Sequence, residues 1–336
     1  MNTGKLPAEL LSRLLERVPK DPRVLLGPGI GRDAAAIDMG DGLVLVAKAD
    51  PITFATDEIG RYVVHVNAND VACLGARPLW FLATVLLPEG AAPELAEQIF
   101  DQICATCAEL GIVPVGGHTE ITTGLDHPVV AGAMLGEARA DALVTPEGAQ
   151  AGDHLLLTKS IAIEGTALLA REAPEALRER GVNADVIGSA AALLVAPGIS
   201  VVREARVACA SGHAHALHDP TEGGLATALL ELAQAASLQV RLRVEDVPVL
   251  PETAAICAAL DLDPLGLLAS GALLIAVAPD ACDAVCETVR RDAVDVTCVG
   301  ELASAEGAAI IDNRSQEPLP RFERDELARF FQSLGT

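Results

Sequence analysis

One stretch of the sequence, "VVHVNANDVACLGA" at residues 63–76, combines a buried composition with closely spaced polar groups. Its Val, Leu and Ala content is typical of a core segment, and its length and the stop at Gly75 predict a helix. Four polar residues nevertheless fall within six positions of it: His65, Asn67, Asn69 and Asp70. Buried polar groups cost free energy unless they are paired. The sequence therefore predicts a core helix whose polar side chains have partners.

The length of 336 residues exceeds what one ordinary core serves and suits two domains. Hydrophobic residues make up 51% and aromatic residues only 2%, so Ala, Val, Leu and Ile must build the core. The breaker-rich stretch "TPEGAQAG" at residues 145–152 predicts a boundary between domains 1–150 and 151–336. Because strands and helices alternate irregularly in both halves, we expect two α/β or α+β domains.

Charge and hydropathy narrow the classes of partner. A net charge of −23 repels phosphate backbones, which argues against a nucleic-acid partner. Apolar runs such as residues 79–87 are far shorter than the roughly 18–20 residues that span a bilayer, so we expect no membrane partner. The start "MNTGKLPAEL" lacks a basic head followed by an apolar stretch, so we expect no signal peptide and a cytoplasmic location.

The eight cysteines are irregularly spaced and do not resemble a disulfide framework. Two pairs lie in helical patterns, where buried thiols are the expected role and a metal or redox pair is the alternative: Cys104 with Cys107, and Cys282 with Cys286. Three histidines could suggest a transition metal: His213, His215 and His218. Their spacing fits no common zinc pattern, so the sequence predicts no zinc site.

Two stretches of the first half place an aspartate where a plain loop would not need one. In "GPGIGRDAA", Asp33 follows three glycines that let backbone approach a ligand, although a structural turn is an equal alternative. In "LVLVAKADPIT", Lys48 and Asp50 lie two residues apart and hence on one face of a strand that turns at Pro51. A surface ion pair is the simpler interpretation of that pair.

Two further aspartates, Asp70 and Asp219, lie on or just before predicted helices. Asn67 and Asp70 are three residues apart on one helix face, which fits either a cap for a neighbouring loop or a site for Mg²⁺. In "HDPTEGGLATAL", Asp219 precedes Gly223 and Gly224 at a helix start, which suits phosphate but also fits an ordinary cap. "GIVPVGGHTEI" predicts a strand that enters a Gly-Gly turn.

Taken together and in order, these motifs resemble the aminoimidazole ribonucleotide (AIR) synthase superfamily over nearly the whole chain, and most of all its hydrogenase maturation factor HypE branch. The resemblance implies an AIR synthase-like fold whose first domain dimerises through a shared β-barrel and binds ATP with Mg²⁺. It assigns metal-facing positions to four aspartates: Asp33, Asp50, Asp70 and Asp219. It assigns nucleotide positions to the loop from Gly116 and Gly117 to His118 and Thr119.

Other residues join the implied site because they lie beside these motifs. Asn67, Asn69, Gly223 and Gly224 are expected at the nucleotide, and Lys48 is expected to act with Asp50 and Asp70 in catalysis. Lys159 is a further candidate phosphate partner. Lys5 is another, because related enzymes use the N-terminal stretch as a lid over phosphate.

The resemblance implies an enzyme that cleaves ATP to activate a substrate oxygen by phosphoryl transfer. A small-molecule kinase of the thiamine-monophosphate type is an alternative, and a nucleotide-binding assembly factor without turnover is another. HypE proteins end in a Pro-Arg-Ile-Cys tail whose thiol accepts a carbamoyl group. Here Phe322 and Glu323 follow Pro320-Arg321, and the sequence ends "ARFFQSLGT". We therefore expect a HypE-like protein that is not a carbamoyl dehydratase.

Overall fold

The structure, a computed structural model, describes residues 5–334, which form two compact units. The N-terminal unit comprises residues 20–27 and 33–143. The C-terminal unit comprises residues 144–334 together with 5–19 and 28–32. The change of unit thus falls a few residues before the predicted boundary at 150. The sequence did not indicate that early segments, including helix α1 (Ala8–Leu15), belong to the C-terminal unit.

The N-terminal unit is a six-stranded sheet of order β1-β2-β3-β6-β4-β5 with two helices. Its elements are β1 (Val24–Leu26), β2 (Ala35–Gly40), β3 (Leu43–Ile52), α2 (Ile59–Cys73), β4 (Arg77–Pro88), α3 (Pro93–Leu110), β5 (Val113–Thr122) and β6 (Val129–Arg139). All neighbouring strands are antiparallel except β4 and β5, which α3 connects as a parallel pair. Helix α2 packs on β3, β4 and β6 and forms the core of this unit.

The C-terminal unit holds a second six-stranded sheet of order β12-β9-β11-β7-β10-β8. Its strands are β7 (His154–Thr158), β8 (Ala214–His218), β9 (Leu238–Leu242), β10 (Leu274–Val277), β11 (Val296–Ser304) and β12 (Ile310–Asp312). Its further helices are α4 (Ile163–Glu172), α5 (Pro174–Glu179), α6 (Ala184–Ala192), α7 (Val202–Ala210), α8 (Gly224–Ala236), α9 (Pro251–Leu260), α10 (Cys282–Arg291) and α11 (Glu326–Ser333). The mixed α/β class is confirmed.

Several local predictions hold, and two are wrong. Helix α8 begins at Gly224 as expected, and α2 ends just before Gly75. The Gly-Gly turn after residue 115 is wrong, because Gly116 and Gly117 lie inside β5. Strand β3 does not turn at Pro51, because it continues to Ile52 in register with β6. Proline is tolerated there because β2 pairs with β3 only as far as Ala47.

Within the described residues, one stretch has the length and apolarity of a membrane span, Ala184–Ala210. It consists of α6, an irregular turn that contains Pro197, and α7. Only 33% of its most apolar window is buried. A single stretch of this kind is weak support for a membrane location.

Candidate functional site

Helix α2 carries its polar residues into the core of the N-terminal unit. His65, Asn67, Asn69 and Asp70 are all buried, as are the apolar residues around them. The Asn67 side chain accepts a hydrogen bond from the Asp50 backbone N–H at 2.9 Å and donates to the Asp50 carbonyl oxygen at 3.2 Å. It also donates to the carbonyl oxygen of Val63 at 2.8 Å. Asn67 therefore holds strand β3 at Asp50, which explains a buried amide at this position.

The clamp on Asp50 brings the charged side chains of β3 and α2 together. The Lys48 ammonium lies 3.2 Å from Oδ2 of Asp50 and 3.0 Å from Oδ2 of Asp70. The Asp70 side chain is only 4% exposed, whereas that of Asp50 is 40% exposed. The interpretation of Lys48 and Asp50 as a mere surface pair is therefore incomplete, because a buried carboxylate on a second element shares the same ammonium.

Asp33 contributes a third negative charge to this group. Burial alone would lower the pKa of Lys48, but the charges of Asp70, Asp50 and Asp33 outweigh burial and raise the pKa. One ammonium thus contacts two carboxylates, and the charge of a third acts on it, which leaves an excess of negative charge in a half-buried place. Carboxylate oxygens are the ligands that Mg²⁺ takes, usually one or two together with substrate phosphates. The donor set of Asp33, Asp50 and Asp70 fits that ion.

The segment Gly116 to Thr119 lies on β5, at an edge of the sheet, with its side chains exposed. Gly117 has a φ of +149°, and a Cβ atom there would lie 1.9 Å from the carbonyl oxygen of Ala83. This glycine is thus needed for the approach of β5 to β4. The segment lines a groove together with apolar side chains of β4 and α3, among them Phe81, Phe100 and Ile103. Imidazole Nε2 of His118 lies 3.1 Å from Glu120.

In the C-terminal unit, Asp219 is buried directly after β8, and Gly223 and Gly224 lead into α8 with φ of +84° and +65°. A Cβ atom on Gly224 would lie 2.4 Å from the carbonyl oxygen of Leu265. The Gly223 N–H donates to the carboxylate of Asp325 at 2.6 Å. A side chain of the protein therefore occupies one donor of the helix start that the sequence predicts for phosphate.

Asp325 is a buried residue that the sequence did not single out. Its carboxylate also accepts from the backbone N–H groups of Leu268 and Leu327. Burial raises the pKa of Asp325 to about 7, although the hydrogen bonds from the backbone act in the opposite direction. Glu164 on α4 is a second such group, and burial together with the nearby charges of Asp325 and Asp219 raises its pKa to about 7.

Two lysines that were expected at phosphate have partners within the C-terminal unit. The Lys159 ammonium pairs with Glu204 at 2.8 Å and donates to the carbonyl oxygens of Gly198 and Ser200. These three acceptors use all of its hydrogens, so we leave Lys159 out of the proposed site. Lys5 pairs with Glu231 at 3.0 Å. Burial alone would raise the pKa of Glu231, but His218 and Lys5 lower it to about 2.

The prediction of buried thiols on α3 is right for one cysteine and wrong for the other, and two of the three histidines lie beside carboxylates. Cys107 is buried on α3 as expected, but the expectation for Cys104 is wrong, because its side chain is exposed on the same helix. His218 lies against Glu231 at 3.3 Å, and Nδ1 of His215 lies 2.9 Å from Asp153. Each of these two imidazoles thus has its own carboxylate partner.

The N-terminal unit holds a carboxylate pair on α2 and β3, and the C-terminal unit holds a glycine-led helix start. Residues 31–138 match the model of the AIR synthase related protein N-terminal domain, and residues 150–313 match that of the C-terminal domain. The chain belongs to the AIR synthase related family.

One curated relative and two solved structures are similar to this chain over most of its length. Carbamoyl dehydratase HypE of Bradyrhizobium diazoefficiens is 30% identical over 313 residues, which are 87% of this chain and 86% of the relative. A solved structure of hydrogenase maturation protein HypE in complex with ATP has a TM-score of 0.70 at 24% identity and covers 97% of this chain and 98% of its own. A structure of AaThiL complexed with AMPPCP and TMP has a TM-score of 0.72 at 18% identity and covers 93% and 94%. These two structures share the fold.

Proposed function

We propose that this protein is a cytoplasmic, Mg²⁺-dependent enzyme that cleaves ATP and transfers a phosphoryl group to an oxygen of its substrate. The observation that carries the proposal is the convergence of Asp70, Asp50 and Asp33 on Lys48. The similarity to the HypE structure in complex with ATP supports ATP as the nucleotide. The excess of carboxylates over ammonium groups in this cluster calls for a further cation, which a bound Mg²⁺ ion would supply.

In this proposal, the protein contributes position and charge. Asp33, Asp50 and Asp70 hold Mg²⁺, which when bound neutralises the phosphates of ATP. Lys48 keeps its proton, because its carboxylate partners raise its pKa, and offers a fixed positive charge. Asn67 fixes the backbone at Asp50 and thereby orients that carboxylate. Asn69 lies on the same helix and is proposed to face the nucleotide.

The remaining site residues are proposed on the family resemblance. The segment Gly116 to Thr119 would contact the nucleotide along its groove. In the C-terminal unit, Asp219 would face a metal or phosphate, and the start of α8 at Gly223 and Gly224 would meet phosphate. The last role requires Asp325 to release the Gly223 N–H or to share it.

We propose that the enzyme works as a homodimer formed through the N-terminal unit. Strand β5 is an edge strand that exposes Val113, Val115 and Ile121. On β4, buried residues such as Phe81 are interspersed with half-exposed apolar ones such as Leu82. An exposed edge and a half-exposed apolar sheet face are what a second copy would cover in a shared barrel.

The proposed acceptor is a separate molecule rather than a thiol of this chain. Gly266 packs against the ring of Phe322, since a Cβ atom on Gly266 would lie 2.3 Å from that ring. Asp325, which follows shortly after, accepts hydrogen bonds from the backbone N–H groups of Gly223 and Leu327, so it attaches this part of the chain to the loop before α8. A segment anchored in this way carries Phe322 and Glu323 where HypE proteins carry Ile and Cys, and neither side chain can accept a carbamoyl group.

The test is ATP turnover by the purified protein with Mg²⁺, followed as ADP release with and without candidate acceptors. Mass spectrometry of small molecules retained through purification identifies the acceptors to try. Turnover that depends on Mg²⁺ and is lost in Asp70→Asn supports the proposal. Binding of Mg-ATP without turnover under any acceptor would favour the alternative, a nucleotide-binding assembly factor.

A kinase of the thiamine-monophosphate type is the second candidate, and the similarity to AaThiL complexed with AMPPCP and TMP favours it. An assay with thiamine monophosphate as the acceptor distinguishes this kinase from an enzyme that uses another acceptor. Formation of thiamine diphosphate with stoichiometric ADP would select the kinase.

A further inference from the structure

Three elements of the C-terminal unit bring soft metal ligands together. His154 opens β7, Cys298 lies on β11, and α10 carries both Cys282 and Cys286. Strands β7 and β11 are antiparallel, with Cys298 opposite Leu156. Because His154 is two residues before Leu156, its side chain and that of Cys298 lie on the same face of the sheet.

The ligand atoms of three of these residues are close enough for one ion. A nitrogen of the His154 ring and the sulfurs of Cys282 and Cys298 all lie within 4.8 Å of one another. In a tetrahedral zinc site, neighbouring ligand atoms are roughly 3.5–3.8 Å apart, given Zn–S of about 2.3 Å and Zn–N of about 2.0 Å. Small side-chain rotations cover this difference. Cys286 lies four residues after Cys282 on α10 and hence on the same helix face, and its thiol acts on the pKa of Cys282.

A second observation points to a ligand at the same place. Among the described residues, Nδ1 of His154 is buried and has no hydrogen-bond partner. A buried imidazole nitrogen without a partner is unfavourable, whereas a bound metal ion would use its lone pair. Cys282 and Cys286 are each only 7% exposed, and all four residues belong to regular elements that hold them in place.

Two guanidinium groups lie close to the cluster, although burial keeps the pKa of the Cys282 and Cys286 thiols above the usual range. Arg243 donates to the carbonyl oxygen of Cys298 and lies against its side chain. Arg290 donates to the carbonyl oxygen of Val296 and places positive charge near Cys286. Three thiolates and a neutral imidazole around a divalent ion leave one negative charge, which these guanidinium groups can balance.

We propose that His154, Cys282, Cys286 and Cys298 bind one structural Zn²⁺ ion that ties α10 to β7 and β11. Nitrogen and sulfur donors select zinc over Mg²⁺, and four protein ligands leave no open position for a substrate. Binding forms three Zn–S bonds and one Zn–N bond and releases the thiol protons to solvent, without any change of oxidation state. A disulfide would use only two of these thiols and leave His154 unsatisfied.

The test uses the full-length protein, reduced and freed of metal, and titrated with Zn²⁺ and then with Co²⁺ as a spectroscopic probe. We expect one equivalent of either metal, the visible absorption of tetrahedral Co²⁺, and a thiolate-to-cobalt charge-transfer band. Cys298→Ser should weaken zinc binding by more than about a hundredfold, since even indirect partners of a metal ligand contribute about 10–100-fold. The matched control is Cys257→Ser, which removes a buried thiol from α9 and should bind zinc normally.

Thermal unfolding of the unmodified protein provides a test that does not depend on Cys298→Ser folding. We expect one equivalent of Zn²⁺ to raise the Tm of the unmodified protein. The proposal is overturned if the reduced protein binds neither metal, or if Cys298→Ser and Cys257→Ser bind zinc equally well. It is also overturned if Co²⁺ binds without a thiolate band. The sequence alone predicts no zinc site, and the same titration decides between that prediction and this proposal.

Discussion

Replacement of Asp70 by Asn should weaken Mg-ATP binding at least about tenfold while the protein stays folded. The Asp70 carboxylate lies 3.0 Å from the Lys48 ammonium, and at an effective dielectric constant of about 20 this attraction is roughly 5 kcal/mol. Asp70 and Asp50 contact the same nitrogen, so their nearest oxygens are at most about 6 Å apart and repel by roughly 3 kcal/mol or more. Burial of the Asp70 charge cancels part of the remainder.

The net loss of unfolding free energy in Asp70→Asn is therefore about 1–2 kcal/mol, since Lys48 keeps Asp50 as a partner. A bound Mg²⁺ ion would lose one of its anionic ligands, which should cost at least about tenfold in affinity, or roughly 1.4 kcal/mol. Urea unfolding without nucleotide measures the first quantity. Isothermal titration calorimetry with Mg-ATP on the folded variant measures the second.

The matched control is Asp101→Asn, which removes an exposed carboxylate from α3 in the same unit and should leave both quantities unchanged. A folded Asp70→Asn protein that binds Mg-ATP with unchanged affinity would refute the metal-ligand role. The side chain would then serve only to pair Lys48 in the core.

The remaining predictions concern assembly, pH dependence and covalent chemistry. Light scattering should give twice the chain mass of 34.7 kDa. Ile121→Arg on β5 should shift the measured mass towards the monomer, whereas the control Met39→Arg, at another exposed apolar position, should not. A monomeric unmodified protein would contradict the proposed dimer. The pKa of Glu164 is raised from 4.5 to about 7, so its protonated form stabilises the fold below about pH 4.5 and that contribution is lost as pH rises through about 7. The free energy of unfolding should therefore fall by up to about 3 kcal/mol across this pH window. In urea titrations, Glu164→Gln should show a shallower decline with pH than the unmodified protein. An equal decline in both proteins would contradict the role of Glu164. Incubation with a carbamoyl donor system and ATP should add no carbamoyl or cyano mass to any of the eight cysteines, and intact-mass measurement would expose such an adduct.

The sequence allowed the elements and part of the site to be predicted because periodicity and glycine stops act locally. The helix with Asn67 and Asp70, and the start of α8 at Gly224, are examples. Contacts across strands were less accessible. The turn predicted at Gly116 failed because pairing with β4 keeps both glycines extended.

Partners distant in sequence gave no local signal at all. Asp325 lies in the polar run "ERDEL", which is typical of a solvated helix start, and nothing near it in sequence indicates a carboxylate that accepts from Gly223 and Leu268. Cys298 and His154 likewise look like ordinary strand residues until the register of β7 and β11 is known. Such sites depend on tertiary packing, which short-range patterns do not encode.

The bond from the Gly223 N–H to Asp325 spans 102 positions of the chain and has a consequence for biosynthesis. At roughly 5–20 residues per second, the ribosome needs about 5–20 s to pass from one residue to the other. During that interval the nascent loop before α8 lacks the carboxylate that completes it, and water must serve its backbone donor. The loop can therefore reach its final hydrogen bonding only late in translation, and a ribosomal pause between these codons would prolong its unfinished state.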